Sequence, residues 1–179
     1  MIKQVIRKAY WDVEKEENWL NHMASMGMAL LDYSWCRYVF VQSQPNEYIY
    51  RIELLENHHN HYESIAYIQF LEENGIECVA KYMRWVYLRK RSCDGPFEMY
   101  TDMESRCRYY KRLSLFYSTL FALEFSAGLL NLVIGIVNGS AINIILSTPV
   151  FLLAALFAKL NAPIKMKIKK YSQEKIVRE

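Results

Sequence analysis

Two apolar stretches separated by three residues constrain this chain more than any other feature. Leu113–Val137 reads LSLFYSTLFALEFSAGLLNLVIGIV, and Ala141–Leu160 reads AINIILSTPVFLLAALFAKL. Each reaches the length of about 20 helical residues that a bilayer core requires. Their only charges are Glu124, at mid-membrane depth, and Lys159, near an end. Asn138-Gly139-Ser140 leaves room only for a tight helical hairpin. The expectation is a transmembrane hairpin over 113–160 (spans 113–137 and 141–160). A polar domain, 1–91, and a juxtamembrane segment, 92–112, precede it, and a basic tail, 161–179, follows.

Charge supplies the topology. Residues 1–112 hold 15 Lys+Arg against 16 Asp+Glu (15 − 16 = −1), whereas residues 113–179 hold 7 against 3. A near-neutral polar domain argues against nucleic acid as a partner, because phosphate binding needs a basic face. Arg106, Arg108, Lys111 and Arg112 precede the first span, and Lys159, Lys165, Lys167, Lys169 and Lys170 follow the second. The positive-inside rule then puts both termini in the cytoplasm, in a multi-pass protein of the cell membrane. MIKQVIRKAY has no apolar core, so no signal peptide is expected. Cys36, Cys78, Cys93 and Cys107 are widely spaced and read as reduced thiols.

The first ninety residues repeat one order of elements. Ile2–Trp11 reads as a strand, and Asp12 as the cap of a helix carrying Trp19, Leu20, Met23 and Met26 at helical spacing. Glu14, Glu16 and Glu17 complement the dipole of its first turns. Gly27 ends the helix, and Met28–Ser34 with Arg37–Gln42 forms a hairpin. The order returns with strand Glu47–Leu55, a capping box from Asn60 to Glu63, a helix face of Ile65, Ile68 and Leu71, and Gly75. A second hairpin, Ile76–Tyr82 and Trp85–Arg89, closes the unit. Gly27 and Gly75 lie 48 residues apart, as do Met23 and Leu71. The fold class is therefore α+β: two β-α-β-β units fused in one antiparallel sheet with both helices on one face, then the hairpin. Ser92–Pro96 breaks the pattern, and Phe97–Arg112 reads as a helix running into the first span.

Within the hairpin, Glu124 shares a face with Gly128, Asn131 and Gly135, and the second span presents Asn143, Ser147, Ala154 and Ala158. Small residues permit close approach, and amides and hydroxyls can bond across the gap. Residues equidistant from Gly139 share a depth, so Gly135 meets Asn143, Asn131 meets Ser147 and Glu124 meets Ala154. Ser147 is 7 residues from Ala154, or ~10 Å along the axis, beyond reach of a Glu side chain. An ionised carboxylate at mid-bilayer costs at least ~2.5–3.5 kcal/mol. Three readings stay open: a protonated Glu124 bonded to backbone, Ser126 or Ser118; contact with a second copy or another membrane protein; or a proton or ion relay. The association residues are thus Glu124, Gly128, Asn131, Gly135, Ser147 and Ala154.

Catalytic patterns are missing: neither a nucleophile–base spacing nor a Gly-rich phosphate loop occurs. His58, His59 and His61 are too close in one loop to converge on a metal, and no cofactor is expected. Aromatic residues make up 15% of the chain, enough to cover a duplicated sheet and still line a groove. Candidate ligand-binding residues are Trp11, Trp35, Tyr50, Glu53 and Trp85, with Glu53 the acidic member.

The runs WDVEKEENWLNHMASMG, EYIYRIEL, YIQFLEENGIECV and WVYLRK resemble a Gram-positive bacterial family catalogued as domain of unknown function 2812. The likeness covers residues 1 to 91, and two following spans are usual in that family. It carries no assigned activity. Its genes often sit beside PadR-type transcriptional regulators, which implies a regulatory role and a transcriptional regulator as partner. The order of elements is also similar to tandem strand-helix-strand-strand modules of the gyrase-inhibitor-like drug-sensing type, which bind small cationic or aromatic ligands.

The leading expectation is a membrane-anchored, non-catalytic sensing or adaptor protein that binds a small ligand or a regulatory protein. The competing one is an oligomeric small transporter or efflux accessory using Glu124. A third is an enzyme whose site has no familiar signature.

Overall fold

The computed structural model describes residues 3–100 and 103–178, with side chains in the second stretch from 104 to 173. Met1, Ile2, Thr101, Asp102 and Glu179, on which parts of the expected first strand, juxtamembrane helix and tail fall, lie outside the described residues. The chain forms two compact units, Met1–Met99 and Tyr100–Glu179.

The first unit runs β1 (Lys3–Arg7), α1 (Val13–Ser25), β2 (Met28–Ser34), β3 (Arg37–Gln42), β4 (Tyr48–Leu54), α2 (Tyr62–Glu73), β5 (Glu77–Tyr82) and β6 (Trp85–Arg91). Asp12 caps α1 as expected, its carboxylate accepting from the Glu14 and Lys15 amides at 3.0 and 3.3 Å. The expected capping box at Asn60 does not form. His61 is the N-cap of α2 and makes no side-chain cap bond, while Glu63 accepts from the Asn57 amide at 2.7 Å.

One fused sheet is not what the strands form. They make two three-stranded antiparallel sheets, ordered β1-β3-β2 and β4-β6-β5. Side chains, not a strand ladder, link the two sheets at Leu30. The Leu30 amide of β2 donates to the Tyr50 hydroxyl at 2.8 Å, and its carbonyl accepts from Arg89 Nη1 at 3.2 Å. Side chains of the second sheet thus satisfy backbone groups of β2 that pairing with a further strand would otherwise take up. Both sheets share irregularities: the ladders slip at Leu30/Asp32 and at Cys78/Ala80. Gly27 and Gly75 end the preceding helices at φ +76° and +77°, a conformation open to a residue without Cβ.

Trp19 of α1 packs edge-on to Tyr38 and Phe40 of β3, with centroids 4.8 and 5.7 Å away. Ile68 and Leu71 of α2 cluster with Leu55, Val86, Leu88 and Phe97, each buried apolar side chain contributing ~1.5–3 kcal/mol. Phe97 is therefore core of this unit, not the start of a membrane helix, which is why the unit extends past Arg91 to Met99.

The second unit is an antiparallel hairpin of α3 (Met103–Val137) and α4 (Ala141–Arg178). Both helices are long and apolar enough to cross a membrane. Gly139 turns between them at φ +62°, and the Ser140 amide donates to the Gly135 carbonyl at 2.9 Å. α4 does not stop at Leu160 but continues through the basic tail, with Pro149 and Pro163 inside it.

Candidate functional site

The first unit is held together around a buried acid that the sequence reading assigned to the helix dipole. Glu16 stands on the inward stripe of α1 with Val13, Leu20 and Met23, at the 3-to-4-residue spacing that puts side chains on one face. It is only 7% exposed. Its Oε1 accepts two hydroxyls, from Tyr38 of β3 and from Tyr87 of β6, each at 2.7 Å. One carboxylate oxygen therefore joins α1 to both sheets. Burial raises the Glu16 pKa above its ordinary value, outweighing the two hydrogen bonds that favour the charge. Burial and then the neighbouring Glu16 push both tyrosines up as well. Tyr33 fills the space beside them, its ring 4.8 Å from Tyr38 and 4.3 Å from Tyr87.

The next two turns of α1 cover the outer edge of β4. Asn21 pairs with Tyr50 as a strand would: its Oδ1 accepts the Tyr50 amide at 2.8 Å and its Nδ2 donates to the Tyr50 carbonyl at 3.1 Å. Glu17 accepts the Ile52 amide at 3.2 Å and Arg51 Nη1 at 2.9 Å. Burial raises the Glu17 pKa in spite of the Arg51 guanidinium. A helix thus closes an edge otherwise open to strand addition.

A concavity of about 340 Å³ lies beside this junction, lined by Tyr48, Gly75, Glu77, Arg89, Arg91 and Asp94. Arg89 holds Glu77 through two bonds of 2.9 and 2.8 Å. Its guanidinium lies 4.3 Å from the Tyr48 ring centroid. The cation is thus engaged by a carboxylate, a ring and the Leu30 carbonyl together.

The structure places the five expected ligand-binding residues in different surroundings. Tyr50 is fully buried and bonded to Leu30. Glu53, three positions on, points to the other face of β4, where it accepts the Tyr67 hydroxyl of α2 at 2.9 Å. Trp85 is half-buried on β6, while Trp11 and Trp35 are 56% and 74% exposed.

In the hairpin, Gly128 and Gly135 are where the helices approach. A Cβ on Gly128 would come within 2.9 Å of the Phe151 ring, and one on Gly135 within 2.6 Å of Ile144 Cγ1 and 3.0 Å of the Ile144 backbone nitrogen. Ser147 and Ala154 are buried in the same seam. The expected bonds between Asn131 and Ser147 do not cross the gap. Asn131 donates to the Ala127 carbonyl at 3.0 Å and Ser147 to the Ile144 carbonyl at 2.7 Å, each within its own helix. The polar bridge lies instead near the basic end, where Asn161 Nδ2 donates to the Ser118 hydroxyl at 2.7 Å and the Ser114 carbonyl at 3.2 Å. Half-buried Glu124 has no hydrogen-bond or ion-pair partner among the described residues.

Among known proteins, no curated protein matches the chain, and no solved structure does. The family described as protein of unknown function (DUF2812) matches residues 12–122, from the cap of α1 into α3. That match spans well over half of the 179 residues, and the chain belongs to the DUF2812 family.

Proposed function

We propose that the protein is a membrane-anchored binding module, a sensor or adaptor without catalysis of its own. The first unit would lie in the cytoplasm and the α3–α4 hairpin would cross the membrane, with Asn138-Gly139-Ser140 outside. The charge pattern supports this orientation: Arg106, Arg108, Lys111 and Arg112 stand before one span, and the lysines from 159 to 170 follow the other. The two sheets read as copies of one β-α-β-β unit, because strand order, ladder slips and helix-ending glycines recur at the same 48-residue offset.

The observation that carries the reading is the Glu16 junction. A single buried acid holds both sheets through Tyr38 and Tyr87. A small organic cation competing for that carboxylate would act on both sheets at once, which is how a binding event becomes a change of shape. Thermal unfolding of the detergent-solubilised full chain against a panel of aromatic and alkylammonium cations tests this. Stabilisation by at least one cation, abolished in Glu16→Gln, is the expected result. A flat response across the panel, or stabilisation that Glu16→Gln retains, contradicts a ligand site at this acid.

Glu124 favours a second property of the same module. A carboxyl with no partner among the described residues of its own hairpin is satisfied most simply by another membrane helix. Glu124→Gln keeps one hydrogen-bonding amide and should preserve association, whereas Glu124→Leu should shift the detergent-solubilised protein toward monomer in size-exclusion chromatography with light scattering. A monomeric wild type contradicts this part.

A further inference from the structure

We propose that the end of the first unit bearing both hairpin turns docks on an anionic lipid surface. This rests on the membrane anchoring proposed above, and concerns a contact the hairpin helices do not make. The two turns stand side by side: the Trp35 and Tyr82 rings are 6.1 Å apart, and Tyr33 meets Tyr82 edge-on at 5.9 Å. Trp35 is 74% exposed at one turn and Met83 60% at the other. The loop that leaves β1 emerges at the same end, since the Lys8 amide donates to the Cys36 carbonyl at 3.0 Å. That loop carries Trp11, 56% exposed.

These side chains are poor choices for water-facing turns. Trp35 and Cys36 sit at φ 29° and 58°, and Met83 at 54°. Tight turns of this kind favour Asn and Gly, which reach left-handed backbone at little cost. Single exposed apolar residues are ordinary, but three grouped at one end mark an interaction surface.

Charge identifies what the surface meets. Arg7 stands directly opposite Arg37 in the β1–β3 ladder, a like-charge pairing that is normally avoided. Lys8 adjoins the first turn, and Lys81 and Arg84 flank Met83. Asp32 lies 3.7 Å from Arg37, and Asp12 directly follows Trp11 in the loop. The polar domain as a whole is near neutral (15 − 16 = −1 to residue 112), so this positive end is local. Indoles settle at the headgroup layer, and Lys and Arg are drawn to anionic leaflets. A tryptophan-tipped end that carries these cations fits that boundary.

All four tryptophans, Trp11, Trp19, Trp35 and Trp85, precede the hairpin helices, so tryptophan emission of the intact chain reports on the first unit alone. The full-length protein is reconstituted into phosphatidylcholine vesicles with and without phosphatidylglycerol, using brominated acyl chains as quenchers. Quenching is expected in the anionic vesicles, reduced in the zwitterionic ones and reduced by salt. Trp35→Phe should reduce it. Met83→Ser should weaken it with every tryptophan in place, and Lys81→Gln should weaken surface association about fivefold. Unquenched emission in anionic vesicles, quenching that Trp35→Phe leaves unchanged, or equal quenching in both lipids overturns the proposal. Flotation of the same vesicles after alkaline carbonate reports separately on the hairpin: protein that fails to float overturns the anchoring, whereas protein that floats unquenched overturns only the docking.

Discussion

Tyr38 and Tyr87, one from each sheet, donate to the same carboxylate oxygen of Glu16 at 2.7 Å each. The sheets share no ladder, so this acid and the Leu30 contacts do the work that strand pairing does within each sheet. A hydrogen bond contributes about 0.5–1.5 kcal/mol net, and leaving a buried partner unsatisfied costs about 1–3 kcal/mol. Glu16→Ala should destabilise the first unit more than Tyr38→Phe or Tyr87→Phe alone. Chemical denaturation of the single and double variants checks it. Additive effects of the two tyrosine substitutions would deny that they act on one site.

The pH dependence of that junction has a definite sign. The folded Glu16 pKa lies above its ordinary value of 4.5, so its contribution is fully present below that value and is lost as pH rises through the folded pKa. Glu16→Gln cannot ionise. The stability of wild type relative to Glu16→Gln should therefore fall as pH rises from 4.5 and then level off. A difference that grows with pH would mean the buried acid is held charged.

The two helix-ending glycines should differ in tolerance. Both sit at left-handed φ, where an L side chain costs roughly 1 kcal/mol. A Cβ at Gly27 would also stand 2.9 Å from the Ser43 carbonyl oxygen, while one at Gly75 meets nothing within 4 Å. Gly27→Ala should be clearly more destabilising than Gly75→Ala, as read from the midpoint of thermal unfolding. Equal midpoints would contradict the packing at Gly27.

In the hairpin, Gly135→Ala should cost more than Gly128→Ala. The first clashes with backbone at Ile144, and the second with a ring at Phe151 that can turn aside. Overpacking of this kind costs typically 1–3 kcal/mol. Thermal unfolding in detergent, followed by circular dichroism, measures the order of the two.

Local pattern in the sequence marks much of this fold. The bounds of β2 and β3 follow from the helix-ending Gly27 and the turn near Ser34-Trp35-Cys36, Asp12 from capping chemistry, and the hairpin from two apolar runs around Asn138-Gly139-Ser140. What was hidden depends on contacts distant in sequence. Glu16 reads as one of three acids suited to a helix start, and only its spacing from Leu20 hinted that it faces inward. Its partners are 22 and 71 residues away. Glu53 alternates like a groove residue, yet α2 covers that face through Tyr67. His61 caps α2 in place of Asn60 because cap choice rests on backbone angles. Asn161 was assigned to a tail, since continuation of a helix past a basic cluster and Pro163 leaves no apolar signature.

Cysteine accessibility in intact cells tests the membrane anchoring most directly. Cys93 is exposed on the first unit, and Ser140 lies in the turn between the helices. With a membrane-impermeant maleimide, Ser140→Cys should become labelled in sealed cells, and Cys93 only after lysis. Labelling of Cys93 from outside, or protection of Ser140→Cys until the cells are broken, would contradict a cytoplasmic module tethered by a membrane-crossing hairpin.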